Sequence, residues 1–197
     1  MYFFTSDTHF NDADTLIVDN RPFKSAKQFD KFVISTWNKQ AKAGDTIFVI
    51  GDFVDCSGAE SESWKKSIKY VQQIKADVVL IIGNNEERVI KNFFDNNFES
   101  FRSFCIDLGF KEVYKNTIIE VCNTKFFLTH KPKHKQNDML NLFGHTHRSC
   151  GLYKPFGFNI GCDLNHFRLF DENDIKKFLK MKEMFWDKDM VLNGTIN

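Results

Sequence analysis

The 197-residue chain lacks several features that would mark a specialised class. None of its five cysteines forms a C-x-x-C pair, and their number is odd. Cys56, Cys105, Cys122, Cys150 and Cys162 therefore read as reduced, mostly buried thiols of a chain expected in the cytoplasm. No apolar run is long enough to span a bilayer, and Asp7 interrupts the apolar start too early for a signal peptide. No charge of one sign dominates: 27 Lys+Arg against 26 Asp+Glu leave a formal net charge of +1. That balance, with no basic stripe interleaved with aromatics, argues against long DNA or RNA as substrate. Repeats, low-complexity runs and linkers are also missing. The length is that of one domain with a substantial core, expected over 1–186, with 187–197 a loosely held tail. What is abundant is phenylalanine, at 23 residues, which predicts an aromatic-filled core.

Apolar runs alternate with helical patterns, an α/β arrangement. Asn11 to Phe23 reads as an irregular loop with one helical turn. Ser25 caps a helix to about Ala41, with Phe29, Phe32, Val33 and Trp37 on one face. A second helix over Ser63 to Lys75 presents Trp64, Ile68, Val71 and Ile74. Glu86 to Leu108 is helical with a break near Asn96-Asn97. Val113 to Thr129 reads as a strand and a hairpin turning at Asn123-Thr124. Tyr153 to Ile160 is a strand broken by Pro155 and Gly157. Asp171 to Trp186 is a final amphipathic helix with Ile175, Phe178, Leu179 and Phe185 inward.

The functional signal lies at the ends of the strands. Tyr2-Phe3-Phe4-Thr5-Ser6 leads into Asp7-Thr8-His9, and Thr46 to Ile50 into Gly51-Asp52. Val78 to Ile82 leads into Gly83-Asn84-Asn85-Glu86. Phe126 to Thr129 leads into His130, and Leu140 to Phe143 into Gly144-His145-Thr146-His147. An Asp at one strand end is ordinarily a turn former. Five such placements describe a site on the carboxyl edge of a sheet, where α/β proteins hold ligands. Asp7 and His9 are two apart, as are His145 and His147, so each pair can point to one side of an extended chain with little backbone distortion. Mixed imidazole, carboxylate and amide ligands suit Mn, Fe, Zn or Ni better than Mg or Ca. The absence of a ligand cysteine excludes a thiolate-rich zinc site.

The order D-x-H, G-D, G-N-x-[DE], a lone His and G-H-x-H resembles the calcineurin-like metallophosphoesterase family, from Tyr2 to about Phe178. Phe158 to Asp163 resembles the segment following G-H-x-H in small members, and Asn20-Arg21-Pro22-Phe23 is a weaker match to small bacterial and phage members. The resemblance implies a four-layer α-β-β-α sandwich with two mixed sheets. It also implies two divalent transition metal ions, Mn first, with Fe, Zn or Ni as alternatives. One would be held by Asp7, His9, Asp52 and His147, the second by Asp52, Asn84, His130 and His145, with Asp52 bridging. Two such cations roughly 3.5–4 Å apart lower the pKa of a shared water and neutralise phosphate oxygens. The implied activity is hydrolysis of a phosphoester by direct attack of the bridging hydroxide, without a covalent intermediate. Catalytic roles fall on Asp52, His130 and Asn85.

Asn85 stands where the family has His. The usual histidine contacts phosphate and assists the leaving group; Asn donates a hydrogen bond but delivers no proton. Losing a general acid costs about 10²–10⁴-fold with a poor leaving group, so diesters are expected over monoesters. A small cyclic or linear nucleotide, or a similar diester, is the expected substrate. The alternative is a catalytically weakened member serving as a protein-binding scaffold. Arg88, Lys131 and Lys133 are further candidates for substrate contact, whereas His134 and His166 match no ligand position. Gly51, Gly83 and Gly144 are expected to give tight turns beside the metals. Monomer and homodimer both stay open.

Overall fold

A computed structural model describes residues 1–56, 62–136, 138–149, 151–153 and 157–185. The expected tail 187–197, Cys150, Pro155 and most of the stretch after Cys56 lie outside the described residues, as does the Phe185 side chain. Two five-stranded mixed sheets pack face to face with helices outside, in the expected α/β sandwich. The first sheet has the order β10-β1-β2-β3-β4: β10 is Phe170–Asp171, β1 Tyr2–Thr5, β2 Thr46–Ile50, β3 Asp77–Ile81 and β4 Glu112–Tyr114. All its pairings are parallel except that of β1 with β10. The second has the order β5-β6-β7-β9-β8: β5 is Thr117–Val121, β6 Thr124–Leu128, β7 Leu140–Phe143, β9 Gly157–Asn159 and β8 Leu152–Tyr153.

The two sheets share a core of Phe4, Phe48, Ile50, Val79 and Ile81 from one side and Phe126, Leu128, Leu142 and Phe158 from the other. Helix α6 (Glu172–Phe185) adds Ile175 and Phe178 to it, with Phe178 stacked on Phe158 at 4.9 Å. The outer face of the first sheet carries α2 (Ala26–Gln40), α4 (Asn84–Phe93) and α5 (Phe98–Leu108). There Phe10, Phe29, Trp37 and Phe53 form the aromatic core, with Phe10 and Phe53 centroids 4.9 Å apart. Among the described residues, no helix is long and apolar enough to cross a membrane.

Ser25 caps α2 through its side chain, as its position before an amphipathic run requires. Phe29, Val33 and Trp37 are buried, but Phe32 is 44% exposed and leaves the expected face. The second helix is only one α turn, α3 (Trp64–Ser67), followed by a 3₁₀ stretch at Ile68–Gln73. Its apolar residues are buried all the same. The hairpin turns at Cys122-Asn123, one residue earlier than expected, because both adopt the left-handed conformation that suits a two-residue turn. Before it, β4 and β5 belong to different sheets, so the chain crosses from one layer to the other at Lys115-Asn116. The single turn in the first loop is α1 (Ala13–Val18), capped by Asp12. Helix α4 begins at Asn84, two residues before the expected start, which makes Asn84 and Asn85 its first turn.

Candidate metal centre

The parallel strands β1, β2 and β3, and β6 and β7 in the second sheet, end at one edge of the sandwich. An isolated bridge between Ser6 and Gly161 ties the two sheets there. All seven expected ligands converge on that edge. Asp7, His9 and His147 offer donor atoms within 4.8 Å of one another, and so do Asp7, Asp52 and His130. Asp52 Oδ2 lies 3.6 Å from His9 Nε2 and 3.5 Å from His130 Nε2. Asn84 sits 3.1 Å from the same Asp52 oxygen, and its Oδ1 is 3.2 Å from His130 Nε2. His145 completes the set, its ring centroid 5.1 Å from that of His130.

The expected freedom from distortion does not hold. Asp7 (φ 57°), His9 (49°), Asp52 (52°), His145 (71°) and His147 (45°) are all left-handed. In that conformation the chain curls back at each strand end instead of continuing extended, and each non-glycine residue there costs roughly 1–3 kcal/mol. Close approach explains the glycines. A Cβ on Gly144 would lie 1.7 Å from Ser6 Oγ and 2.4 Å from Asp7 Oδ2. One on Gly83, whose φ is ordinary, would lie 2.2 Å from Asp52 Oδ1.

Outer contacts orient the ligands. His130 Nδ1 faces the Ile50 carbonyl at 2.9 Å and His147 Nδ1 faces Asp19 at 2.5 Å, so Nε2 of each is turned to the site. The backbone N–H of Asn85, in the first turn of α4, donates to Asp52 Oδ1 at 2.9 Å, where the helix dipole favours a carboxylate. Glu86 is wholly buried and accepts from the backbone N–H groups of Asp52, Phe53, Val54 and Gly83. Burial, then the Asp52 charge, raises its carboxyl to about 7. Arg21 donates to the carbonyls of Asp7 (2.8 Å) and Thr8 (2.9 Å) and forms a bidentate pair with Asp163. Asn159 donates to the His147 carbonyl at 2.6 Å. Sequence reasoning assigned no role to Asp19, Arg21, Glu86, Asn159 or Asp163. The signal for four of them was there, in the Asn20 to Phe23 and Phe158 to Asp163 matches and the G-N-x-E motif.

The residues fit a pair of cations. His9 Nε2 is buried with no hydrogen-bond partner and lies 3.6 Å from Asp52 Oδ2, an orphaned nitrogen that a cation between them would satisfy. Burial lowers the His9 pKa. At His130 burial acts in the same direction, but the adjacent Asp52 carboxylate overrides it and raises the value to about 9. At Asp52 burial raises the pKa, and the His130 and His9 charges outweigh it, holding the carboxyl below its usual range.

A cleft of about 270 Å³ opens over these residues, lined also by Asp12, Asp55, Cys56, Asn85 and Arg88. Arg88 is exposed at its rim. Asn85 is 6% exposed, and its Nδ2 is turned inward, 2.9 Å from the Val54 carbonyl and 3.1 Å from His9 Nδ1. Lys131 is paired with Glu87 at 2.8 Å, and Lys133 is exposed and does not line the cleft. His166 is exposed as expected.

A model of calcineurin-like phosphoesterases matches residues 2–184. An uncharacterized protein of Methanocaldococcus jannaschii is 28% identical over 127 residues, 64% of this chain and 56% of that protein. The chain thus spans little more than half the length of this curated relative. A protein of unknown function from Aquifex aeolicus has a similar solved structure, with a TM-score of 0.64 at 20% identity, covering 90% of this chain and 98% of that one. That likeness is one of fold. With the match running through every ligand segment from β1 to α6, the chain belongs to the calcineurin-like phosphoesterase family.

Proposed function

We propose that the chain is a dinuclear metal-dependent phosphodiesterase acting on a small nucleotide or comparable diester. One observation carries this reading: a single oxygen, Asp52 Oδ2, faces His9 Nε2 and His130 Nε2 at nearly equal distances. A carboxylate so placed suits a bridge between two cations, one drawing on Asp7, His9 and His147 and the other on Asn84, His130 and His145. When bound, the pair supplies a nucleophile near neutral pH and neutralises charge on the phosphate. Mixed N/O donors favour Mn, with Fe, Zn or Ni next.

The protein's own residues would orient the ester. Arg88, at the cleft rim, offers a cation to a non-bridging phosphate oxygen. Asn85 holds no proton to deliver, and its amide is engaged with Val54 and His9. Asn85 therefore does not protonate a poor leaving group, which favours diesters and activated esters over alkyl monoesters. The test uses chelator-stripped protein reloaded with Mn²⁺, Ni²⁺, Zn²⁺ or Mg²⁺ and offered an aryl phosphodiester, its monoester and a panel of nucleotides, with Asp52→Asn as control. Metal-dependent diester turnover lost in the control is the expected result. Bound metal with no turnover of any ester would refute the enzyme reading and leave the scaffold alternative.

A further inference from the structure

Beside the metal cleft, on the other flank of α4, lies a larger cavity of about 480 Å³ that the proposed chemistry does not use. Its floor is apolar, made by Ile82, Ile90 and Phe98. Lys91, Lys115 and His134 stand around its mouth. Lys115 Nζ lies 5.0 Å from the centroid of the Phe98 ring. Glu87, the acidic residue of the lining, is already paired with Lys131 at 2.8 Å. Lys91 and Lys115 have no carboxylate partner among the described residues. The cavity therefore combines an apolar patch at Ile82 and Ile90 with two lysines that lack a carboxylate partner among the described residues, and Asn96, Asn116 and Thr129 add hydrogen-bonding groups. Its volume is within the range of small-molecule sites.

The cavity is joined to the metal centre by the chain itself. Ile82 and Thr129, in its wall, each stand one residue from Gly83 and His130. A narrow space of about 30 Å³ shares Ile82, Glu87, Lys115, Thr129 and His134 with the cavity and reaches Gly83, His130 and Lys131. The His130 and Asn84 side chains, 3.2 Å apart, separate that space from the metal cleft.

We propose that this cavity binds the nucleoside-phosphate portion of the substrate beyond the scissile ester, its base against Ile90 and Phe98 and its phosphate between Lys91 and Lys115. The proposal rests on the phosphodiesterase reading for its kinetic consequence but not for binding. An apolar patch takes the flat face of any base, and lysines without a carboxylate partner take the anion as point charges. The substrate class that follows is a linear dinucleotide with a terminal phosphate, rather than a simple alkyl or aryl diester.

The experiment uses the full chain and the Lys91→Ala/Lys115→Ala double variant, whose altered side chains are exposed. Adenosine 5′-monophosphate is titrated into chelator-stripped protein by calorimetry or by amide chemical shifts. Binding is expected without metal, with shifts at Phe98 and Lys115, and about tenfold to 100-fold weaker in the variant, as for one or two charge-assisted contacts. In metal-loaded protein, the ratio of kcat/KM for a 5′-phosphorylated dinucleotide to that for an aryl diester is expected to fall by a similar factor, mainly through KM. Equal nucleotide affinity in the two proteins, or no shift at Phe98, would overturn the site. If no ester is turned over with any metal, the phosphodiesterase reading fails, while the metal-free titration still decides whether the cavity is a nucleotide site. Nucleotide binding at the cavity with an unchanged substrate ratio would reject its role as a substrate subsite.

Discussion

Replacing Arg21 tests whether the ligand geometry is held from outside. Its side chain is 1% exposed, and its guanidinium makes two bonds to Asp163 and one each to the carbonyls of Asp7 and Thr8. Arg21→Met leaves the Asp163 carboxylate, itself 4% exposed, without its cation and with only the Cys162 thiol as donor; breaking such a pair costs about 3–5 kcal/mol. Each stranded carbonyl adds about 1 kcal/mol or more. For a domain of this size that lowers Tm by roughly 10–28 °C. Adding Asp163→Asn removes the orphan charge and is expected to restore most of the stability. Neither change gives the Asp7 and Thr8 carbonyls their donors back. Mn²⁺ affinity of the double variant should therefore stay about 10–100-fold below wild type, the usual effect of losing an outer contact at a metal site. The assays are thermal unfolding of stripped protein and Mn²⁺ titration calorimetry. A double variant that binds Mn²⁺ as tightly as wild type would show that Arg21 serves stability alone.

Two further predictions concern space and charge. Gly144→Ala puts a methyl against Ser6 Oγ and Asp7 Oδ2; it should cost about 1–3 kcal/mol of stability and weaken Mn²⁺ binding, and normal binding in calorimetry would contradict the close-approach argument. Asp30 is buried on α2, and burial raises its carboxyl from 3.8 to about 6 against the Asn11 and Tyr70 hydrogen bonds. Because the folded state holds the proton more tightly, stability is greatest below about pH 4 with respect to this group and is lost as pH rises through about 6, by up to roughly 3 kcal/mol. Asp30→Asn should therefore raise Tm at pH 7.5 more than at pH 4.5, and parallel Tm profiles across that range would refute the assignment.

The candidate ligands were legible because each follows an apolar run at a spacing that a strand end explains. Ser25 was legible for a similar reason, since a cap is a local feature. What escaped was whatever depends on distant pairing or on backbone handedness. Arg21 and Asp163 are 142 residues apart, and nothing in either motif says that one neutralises the other. The 3₁₀ stretch over Ile68–Gln73 was taken for α-helix because six residues cannot separate a period of 3.0 from one of 3.6. Spacing placed Asp7 and His9 on one side of an extended chain, which turns out to be left-handed at both residues. Asn85 was legible as a departure from the family pattern, but its inward turn toward Val54 and His9 follows from the start of α4 at Asn84.

The handedness bears on what happens when metal is removed. Five left-handed ligands at roughly 1 kcal/mol or more each represent an energy comparable to the net stability of a domain. They persist only if protein contacts over-determine them, and hydrogen bonds of the protein itself supply such contacts. The amides of Asp7, His9 and Phe10 donate to the carbonyls of Gly51, Asp52 and Phe53 at 2.9–3.0 Å, locking the loop after β1 onto the loop after β2. The His145 amide donates to both Asp7 carboxylate oxygens at 3.0 Å, tying the second sheet to the first. None of these hydrogen bonds uses a metal, so a preorganised site is the expected outcome, unlike a small metal-nucleated domain that unfolds on chelation. Stripped protein is expected to stay cooperatively folded, and the Asp7, His9, Phe10 and His145 amides to keep slow hydrogen exchange. Metal should then add only the linkage term, about 4 kcal/mol at a thousandfold excess over Kd. Fast exchange at these four amides in chelator, with the β2 and β3 amides still protected, would mean that the ion itself builds the left-handed turns.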